Sequence, residues 1–466
     1  MNHPLLRTHF ITRGQSLKQA QNVYRKRRYK LMKHYPFPMV IQGVPEGITG
    51  AIPWSMTREP FYQDPLMFFL TGINQPGISL ILNPMSISQP ELLLLPKKDM
   101  TLEFWEGTQF GVGTPSAEKE VSEITGIPHC DWIDHLWIQL ELIMKDNNPN
   151  TIGSFWHESR QGHAVIKDYN YAFKTKLNRW LKTHFKGCKL ENISEGQYKL
   201  RLHLDAIDIA NMKQANSITA TTFDAILSHL HACSSEQDVH AIIAKETVKG
   251  SWMGYSFPPI VASGKRAQIL HYHANNAALD PNGLLLIDMG VRYEGMPSDV
   301  TRTIPVNGRF NPLQALLYSM VLSAQELVES LVKPGITIHA LNEACWTYIQ
   351  NQIETKIIAQ EGTVSMSYRL APHQVSHLIG IAVHDGDPHR NYRTLPLKPN
   401  MVISNEPGFY GDVKLCINGI TYEESVGIRI EDNLRVTQKG CENLTSCPKT
   451  IEAIEGFLNP SPIGLS

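Results

Sequence analysis

The chain has 466 residues, 42% of them hydrophobic and 19% charged, with 43 lysines and arginines against 44 aspartates and glutamates. That length exceeds one ordinary core and accommodates two or three domains, and the balanced charge excludes a nucleic-acid binder built on a basic field. The longest apolar runs, such as Leu92 to Leu95 and Leu284 to Ile287, fall far short of the ~20 residues of a membrane span, and seven scattered cysteines without a C-x-x-C pair point to a reducing compartment.

Met1 to Pro45 contains no Asp or Glu and is rich in Arg and Lys. Leu17, Ala20, Tyr24 and Leu31 recur at helical spacing, and Arg25, Arg27, Arg28 and Lys30 fall mostly elsewhere on the wheel. This predicts a helix with a solvated basic face, in a cytoplasmic protein; a mitochondrial targeting segment is the rival reading. Ile78 to Leu82 and Leu92 to Leu95, separated by Asn83, Pro84 and Pro90, read as strand, turn, strand. Ile152 to Trp156 is another expected strand, and Ala164 to His184 an expected helix, so the first half is an α/β layer pattern. The pattern lapses over Cys188 to Gln197, after which Leu204, Ile207, Met212, Ala215 and Ile218 resume a helical stripe. A domain boundary belongs there, giving domains 1–195 and 196–466. Helices continue to about Lys249, strands separated by glycines follow, and two more helices are expected over Leu313–Leu331 and His339–Ile358. No repeat and no low-complexity segment interrupts this order.

The chemistry-bearing residues fall outside those helices. Leu284 to Gly290 and Ser298 to Thr303 flank a Tyr293-Glu294-Gly295 turn. A hairpin centred between Tyr293 and Glu294 would set Asp288 opposite Asp299 on one face. Two facing carboxylates repel unless a cation lies between them; the competing reading is one turn-capping Asp and one solvated one. Further on, His373, His377 and His384 lie within twelve residues, amid apolar neighbours. Imidazole suits divalent transition metals, and the glutamate of an H-E-x-x-H zinc motif is missing. In Ser404-Asn405-Glu406-Pro407-Gly408, proline holds Glu406 extended and glycine lets the chain turn away. In Val426 to Asp432, alternation puts Ile428 and Ile430 on one face and Arg429 and Glu431 on the other; alone, that pair reads as a surface ion pair. Together, Asp288, Asp299, His377, Glu406 and Glu431 form an oxygen-rich donor set that favours Mn or Co over a thiolate-type zinc site. It suits two ions with a bridging hydroxide as nucleophile.

In order and spacing these residues resemble the proline-specific branch of the "pita-bread" metallopeptidases, the family of Xaa-Pro aminopeptidase and prolidase. The resemblance spans nearly the whole chain. It implies an α/β amino-terminal domain followed by an α+β pita-bread catalytic domain of the creatinase/aminopeptidase-like class. The implied enzyme carries two divalent ions per subunit, with Mn2+ expected and Co2+ or Zn2+ as alternatives. It releases the N-terminal residue from peptides with proline second, by attack of a metal-bridging hydroxide, with Glu406 combining ligand and general-base roles.

The resemblance carries further roles onto matching motifs. In Ile269-Leu270-His271-Tyr272, His271 is implied to steady the scissile carbonyl and tetrahedral intermediate together with His384. His373 supports them, and Arg429, Arg393 and Tyr410 line the substrate cleft. Glu103 to Gly107 resembles a stretch whose tryptophan reaches a neighbouring subunit's cleft, which gives Trp105 a substrate role; a packed surface tryptophan is the bland alternative. Arg201 to Leu204 departs from the family pattern at Leu204, where a lysine is usual. A homodimer or homotetramer is implied, with peptides as partners and neither nucleic acid nor membrane. Prolidase is the nearest alternative function, and a non-catalytic peptide- or protein-binding module the alternative of another class.

Overall fold

The computed structural model describes residues 3–6, 8–45, 61–156, 158–161, 164–167, 169–358, 365–387 and 390–459. The chain forms two compact units, Met1–Arg201 with Gly386–Arg390, and Leu202–Asp385 with Asn391–Ser466.

The first unit contains helices α1 (Leu17–His34), α2 (Pro65–Thr71), α3 (Met100–Glu106), α4 (Pro115–Thr125), α5 (Leu136–Asn147), α6 (Tyr169–His184) and α7 (Ser194–Arg201). Its strands are β1 (Met39–Gln42), β2 (Ser79–Leu82), β3 (Glu91–Leu95), β4 (Cys130–Trp132), β5 (Thr151–Ser154), a β6–β7 hairpin (Glu158–Gln161, Ala164–Lys167) and β8 (Lys189–Asn192). Six of them make a mixed sheet in the order β4-β3-β2-β1-β5-β8. The expected strand-turn-strand is the antiparallel β2–β3 pair, closed by Asn83 N–H on the Pro90 carbonyl. The expected helix from Ala164 starts later, because Ala164–Lys167 pairs with β6 and only Tyr169 onward is helical. One face of the sheet buries Val40, Ile81, Leu92, Leu94 and Ile152 against Leu136 and Leu140 of α5 and Leu177 and Leu181 of α6.

α1 starts on a Ser16–Gln19 capping box and buries Ala20, Tyr24 and Leu31, as the spacing predicts. Its basic residues are not all solvated. Arg28 is fully buried, pairs with Glu91 at 2.9 Å and donates to the Leu70 carbonyl at 2.9 Å. Arg27 stacks 4.3 Å from the Phe69 ring centroid and donates to the Phe69 carbonyl. Both cations sit on the last carbonyls of α2, where the helix dipole is negative, and that partner is remote in sequence.

The second unit opens with α8 (Ala206–His229) and α9 (Glu236–Gly250), each begun by a capping box, Asp205 with Asp208 and Ser235 with Asp238. Strands β9 (Ile260–Ser263), β10 (Leu284–Met289) and β13 (Val300–Pro305) form an antiparallel sheet, with the small ladder β11 (Arg292–Tyr293) and β12 (Met296–Pro297) at the hairpin tip. α10 (Pro312–Leu331) and α11 (Ile338–Gln352) follow, the latter running on into a wider π turn, Ile353–Ile358. The remaining strands are β14 (Ser365–Tyr368), β15 (Leu378–Ile379), β16 (Val402–Asn405), β17 (Gly408–Ile417), β18 (Ile420–Arg429), β19 (Asp432–Val436) and β20 (Cys441–Asn443), before α12 (Ile451–Leu458). They pair antiparallel in the orders β14-β17-β18 and β15-β16-β19-β20. The main core packs Phe223, Val239, Leu317, Val321 and Leu341 of the helices against Leu285, Ile287, Ile304, Ile403, Ile428 and Leu434 of the strands.

The hairpin register corrects the sequence expectation. Asp288 lies opposite Thr301, because the turn is centred on Glu294 and Gly295, one residue later than expected. Both have positive φ, +47° and +86°, as a two-residue hairpin turn matching the right-handed strand twist requires. Asp299 precedes Thr301 by two residues and so keeps the face of Asp288.

Candidate metal centre

Each candidate ligand is delivered by a strand or strand end of the second unit. Asp288 lies on β10, Asp299 just before β13, His377 just before β15, Glu406 just after β16, and Glu431 in the link between β18 and β19. The convergence follows from pairing: β16 joins β15 to β19, so the ends bearing His377, Glu406 and Glu431 meet, and Glu431 N–H on the Thr301 carbonyl ties them to β13.

Donor atoms of three groups lie within 4.8 Å of one another: Asp288, Asp299 and Glu431; His377, Glu406 and Glu431; and Asp299, His377 and His384. His377 Nε2 is 3.4 Å from Asp299 and 3.3 Å from Glu406, and its ring centroid is 4.1 Å from that of His384. All five expected ligands are thus brought together, and His384 joins them from an exposed position. His373 sits beside them, 3.8 Å from Glu406, with Nε2 at 3.1 Å from the Tyr410 hydroxyl.

Arg429 and Glu431 do not form the surface ion pair that their strand suggests in isolation. Arg429 is buried and donates to Asp288 Oδ2 at 2.7 Å, to the Tyr410 hydroxyl at 3.0 Å and to Thr301 Oγ1 at 3.1 Å. Thr301 in turn donates to Glu431 Oε2 at 2.7 Å. The sequence pattern gives Thr301 no role. It also missed Arg302, which donates to the Glu431 carbonyl and to Asp432 at 2.7 Å each, and Asn433, whose amide brackets the Asp299 backbone by accepting from its N–H and donating to its carbonyl. The alternation in Thr301-Arg302-Thr303 was the available signal, since it faces Thr301 toward the carboxylates and Arg302 away. His271 is exposed on the loop after β9; Arg393 lies on the turn Asn391–Thr394, and Trp105 lies exposed on α3 of the first unit.

The donor set fits divalent cations. Burial, reinforced by the Asp288 charge, raises Asp299 to about 6 against the pull of His377. Burial and the Asp299 and Asp288 carboxylates raise Glu406 to about 7, and burial with three neighbouring carboxylates holds Glu431 well above the ordinary range. His377 is raised because Asp299 and Glu406 outweigh its burial. Asp288 Oδ1 is buried with no hydrogen-bond partner among the described residues. So many acidic oxygens, one of them unpartnered, need positive charge beyond Arg429 and His377, and oxygen with one imidazole suits a hard or borderline divalent ion.

Two family models divide the chain: metallopeptidase family M24 matches residues 210–438, and the aminopeptidase P N-terminal domain matches residues 24–152. The Xaa-Pro aminopeptidase of Haemophilus influenzae is 30% identical, over 86% of this chain and 89% of its own. The chain belongs to the Xaa-Pro aminopeptidase family of M24 metallopeptidases. Human Xaa-Pro aminopeptidase 3 is 28% identical over 97% of this chain and 88% of its own. The structure of proline aminopeptidase P II from Yersinia pestis matches with a TM-score of 0.77 and 26% identity, covering 94% of this chain and 99% of that one. The protein is therefore a metalloexopeptidase acting on peptides, with an aminopeptidase P-type first unit and a pita-bread second unit.

Proposed function

We propose that this Xaa-Pro aminopeptidase uses two divalent ions, Mn2+ first among the candidates, held by Asp288, Asp299, His377, Glu406 and Glu431. The observation that carries this reading is the run of overlapping donor groups sharing Glu431, Asp299 and His377. Cations bound there would supply Lewis acidity, acidifying a water and polarising a carbonyl. Every other part is played by the chain. Glu406, just after β16 and 3.3 Å from His377, is assigned to take a proton from the attacking water and return it to the departing nitrogen. That nitrogen belongs to proline, which offers no N–H to a cleft built for ordinary peptides, so the carbonyl side must do the positioning. His384 and His271 are assigned to the carbonyl oxygen and the developing tetrahedral charge. His373 is held neutral, its pKa lowered to about 4 by burial and then by the charges of Arg429, His271 and His377, so it reaches the Tyr410 hydroxyl without adding charge. Arg429 fixes Asp288 and Tyr410; Arg393 and Trp105 are proposed as outer substrate contacts.

The same reading takes 1–195 and 196–466 as the domains, a homodimer or homotetramer as the assembly and the cytoplasm as the location. Cysteine usage supports that location, and no described helix is long and apolar enough to cross a membrane. The test compares Xaa-Pro-Yaa tripeptides with Xaa-Pro dipeptides after chelation and Mn2+ readdition. Metal-restored tripeptide cleavage is expected. Cleavage of dipeptides alone would make the enzyme a prolidase, and cleavage of neither with metal bound would favour a binding module.

A further inference from the structure

Glu236, the first residue of α9, is fully buried and takes no part in the metal site. Its carboxylate nevertheless accepts four hydrogen bonds. Ser263 N–H and Arg266 Nε reach Oε1 at 2.9 and 2.7 Å, and the Tyr272 hydroxyl and Ala277 N–H reach Oε2, both at 2.9 Å. One oxygen gathers the beginning of segment 263–277 and the other gathers its end. The clamp is doubled by Glu236 N–H on the Ala277 carbonyl at 2.9 Å and by Arg266 Nη2 on the Ala278 carbonyl at 2.8 Å.

His271 lies inside this loop. Its neighbours Leu270 and Tyr272 pack on Ile260, Ala262, Ala267, Leu286 and Tyr410, and Tyr410 carries the hydroxyl shared by His373 and Arg429. Packing on Tyr410 therefore sets the stretch that bears His271 next to the residues around the ligand cluster. The exposed imidazole stacks on that of His273, ring centroids 6.2 Å apart, which belongs to the same loop, so its place is inherited from the loop that carries both. A buried carboxylate is costly unless its lone pairs are filled, and only a carboxylate offers two oxygens that both accept from paired donors. An amide at position 236 would turn an NH2 against one of the two donor pairs.

We infer that Glu236 is a positioning residue for the peptidase reaction: its carboxylate closes segment 263–277 and so sets the place of His271 at the scissile bond. This rests on the reading of His271 as a substrate contact.

The experiment measures Xaa-Pro-Yaa kinetics of the full-length Mn2+ enzyme with Glu236→Gln, Tyr272→Phe, His271→Ala and the two double variants, alongside metal content and melting temperature. Glu236→Gln is expected to lower kcat/KM on the order of tenfold to a hundredfold, the size of a misplacement of about 1 Å, with metal content unchanged. In the His271→Ala background the same change should cost no more than about twofold, because the route through His271 is already gone. Full additivity of the two losses would overturn the inference and leave His271 a substrate residue, as would a folded, metal-loaded Glu236→Gln enzyme of normal kcat/KM. Wild-type rates for His271→Ala would instead refute the substrate-contact reading itself, and the inference with it. Tyr272→Phe, which removes one donor of four from a half-buried side chain, carries the same cycle should Glu236→Gln fail to fold.

Discussion

Glu406 provides the sharpest test of the charge argument. Its carboxyl is raised from 4.5 to about 7, first by burial and then by the Asp299 and Asp288 carboxylates. A raised folded-state pKa contributes stability that is fully present below the unfolded value and is lost as pH rises through the folded one. Between about pH 5 and about pH 8 the metal-free protein should lose on the order of 2–3 kcal/mol through this group. For a unit of this size that corresponds to roughly 5–10 °C in melting temperature. The perturbation is chelation combined with Glu406→Gln, since glutamine does not titrate. His373, whose lowered pKa works in the opposite direction at acid pH, is common to both proteins and cancels in the comparison. Differential scanning calorimetry of both chelated proteins at the two pH values should show the wild type falling relative to the variant by that amount. Readdition of Mn2+ should restore the wild type more than the variant, because the cation then balances the carboxylate. Parallel pH slopes for the two chelated proteins, within about 1 °C, would refute the reasoning.

Three further outcomes follow from individual contacts. Thr301→Val cuts the link from Arg429 to Glu431, and Mn2+ affinity measured by calorimetric titration should fall by about tenfold or more. Arg28→Met leaves Glu91 buried without its cation, so urea denaturation should report a loss of about 3–5 kcal/mol, whereas combining Arg28→Met with Glu91→Leu should recover much of it. Gly427→Ala would press a methyl group 2.3 Å from the Ala267 carbonyl oxygen. It should cost about 1–3 kcal/mol in the same assay, and should lower activity by displacing the turn that leads to His271.

The site shows where sequence legibility stops. The candidate ligands were readable because chemistry selects side-chain types at fixed spacing; a hairpin register read two residues off still leaves Asp299 on the face of Asp288, and alternation placed Glu431 on the face of Arg429. Helical periodicity likewise gave α1, α8, α10 and α11, since burial of one face is a local pattern. Periodicity names a face and not what covers it. The partner of Arg429 is Asp288, 141 residues away; the partner of Arg28 is Glu91; and the loop gathered by Glu236 is fixed by donors from four positions of another segment. Each of these bonds depends on how strands pair and how helices pack across the unit. Thus the amino-acid sequence by itself determined the candidate donor set, the family and the long helices of the second unit, whereas only the tertiary structure decided which charges neutralise one another, because desolvation and hydrogen-bond geometry act between groups that the chain brings together last.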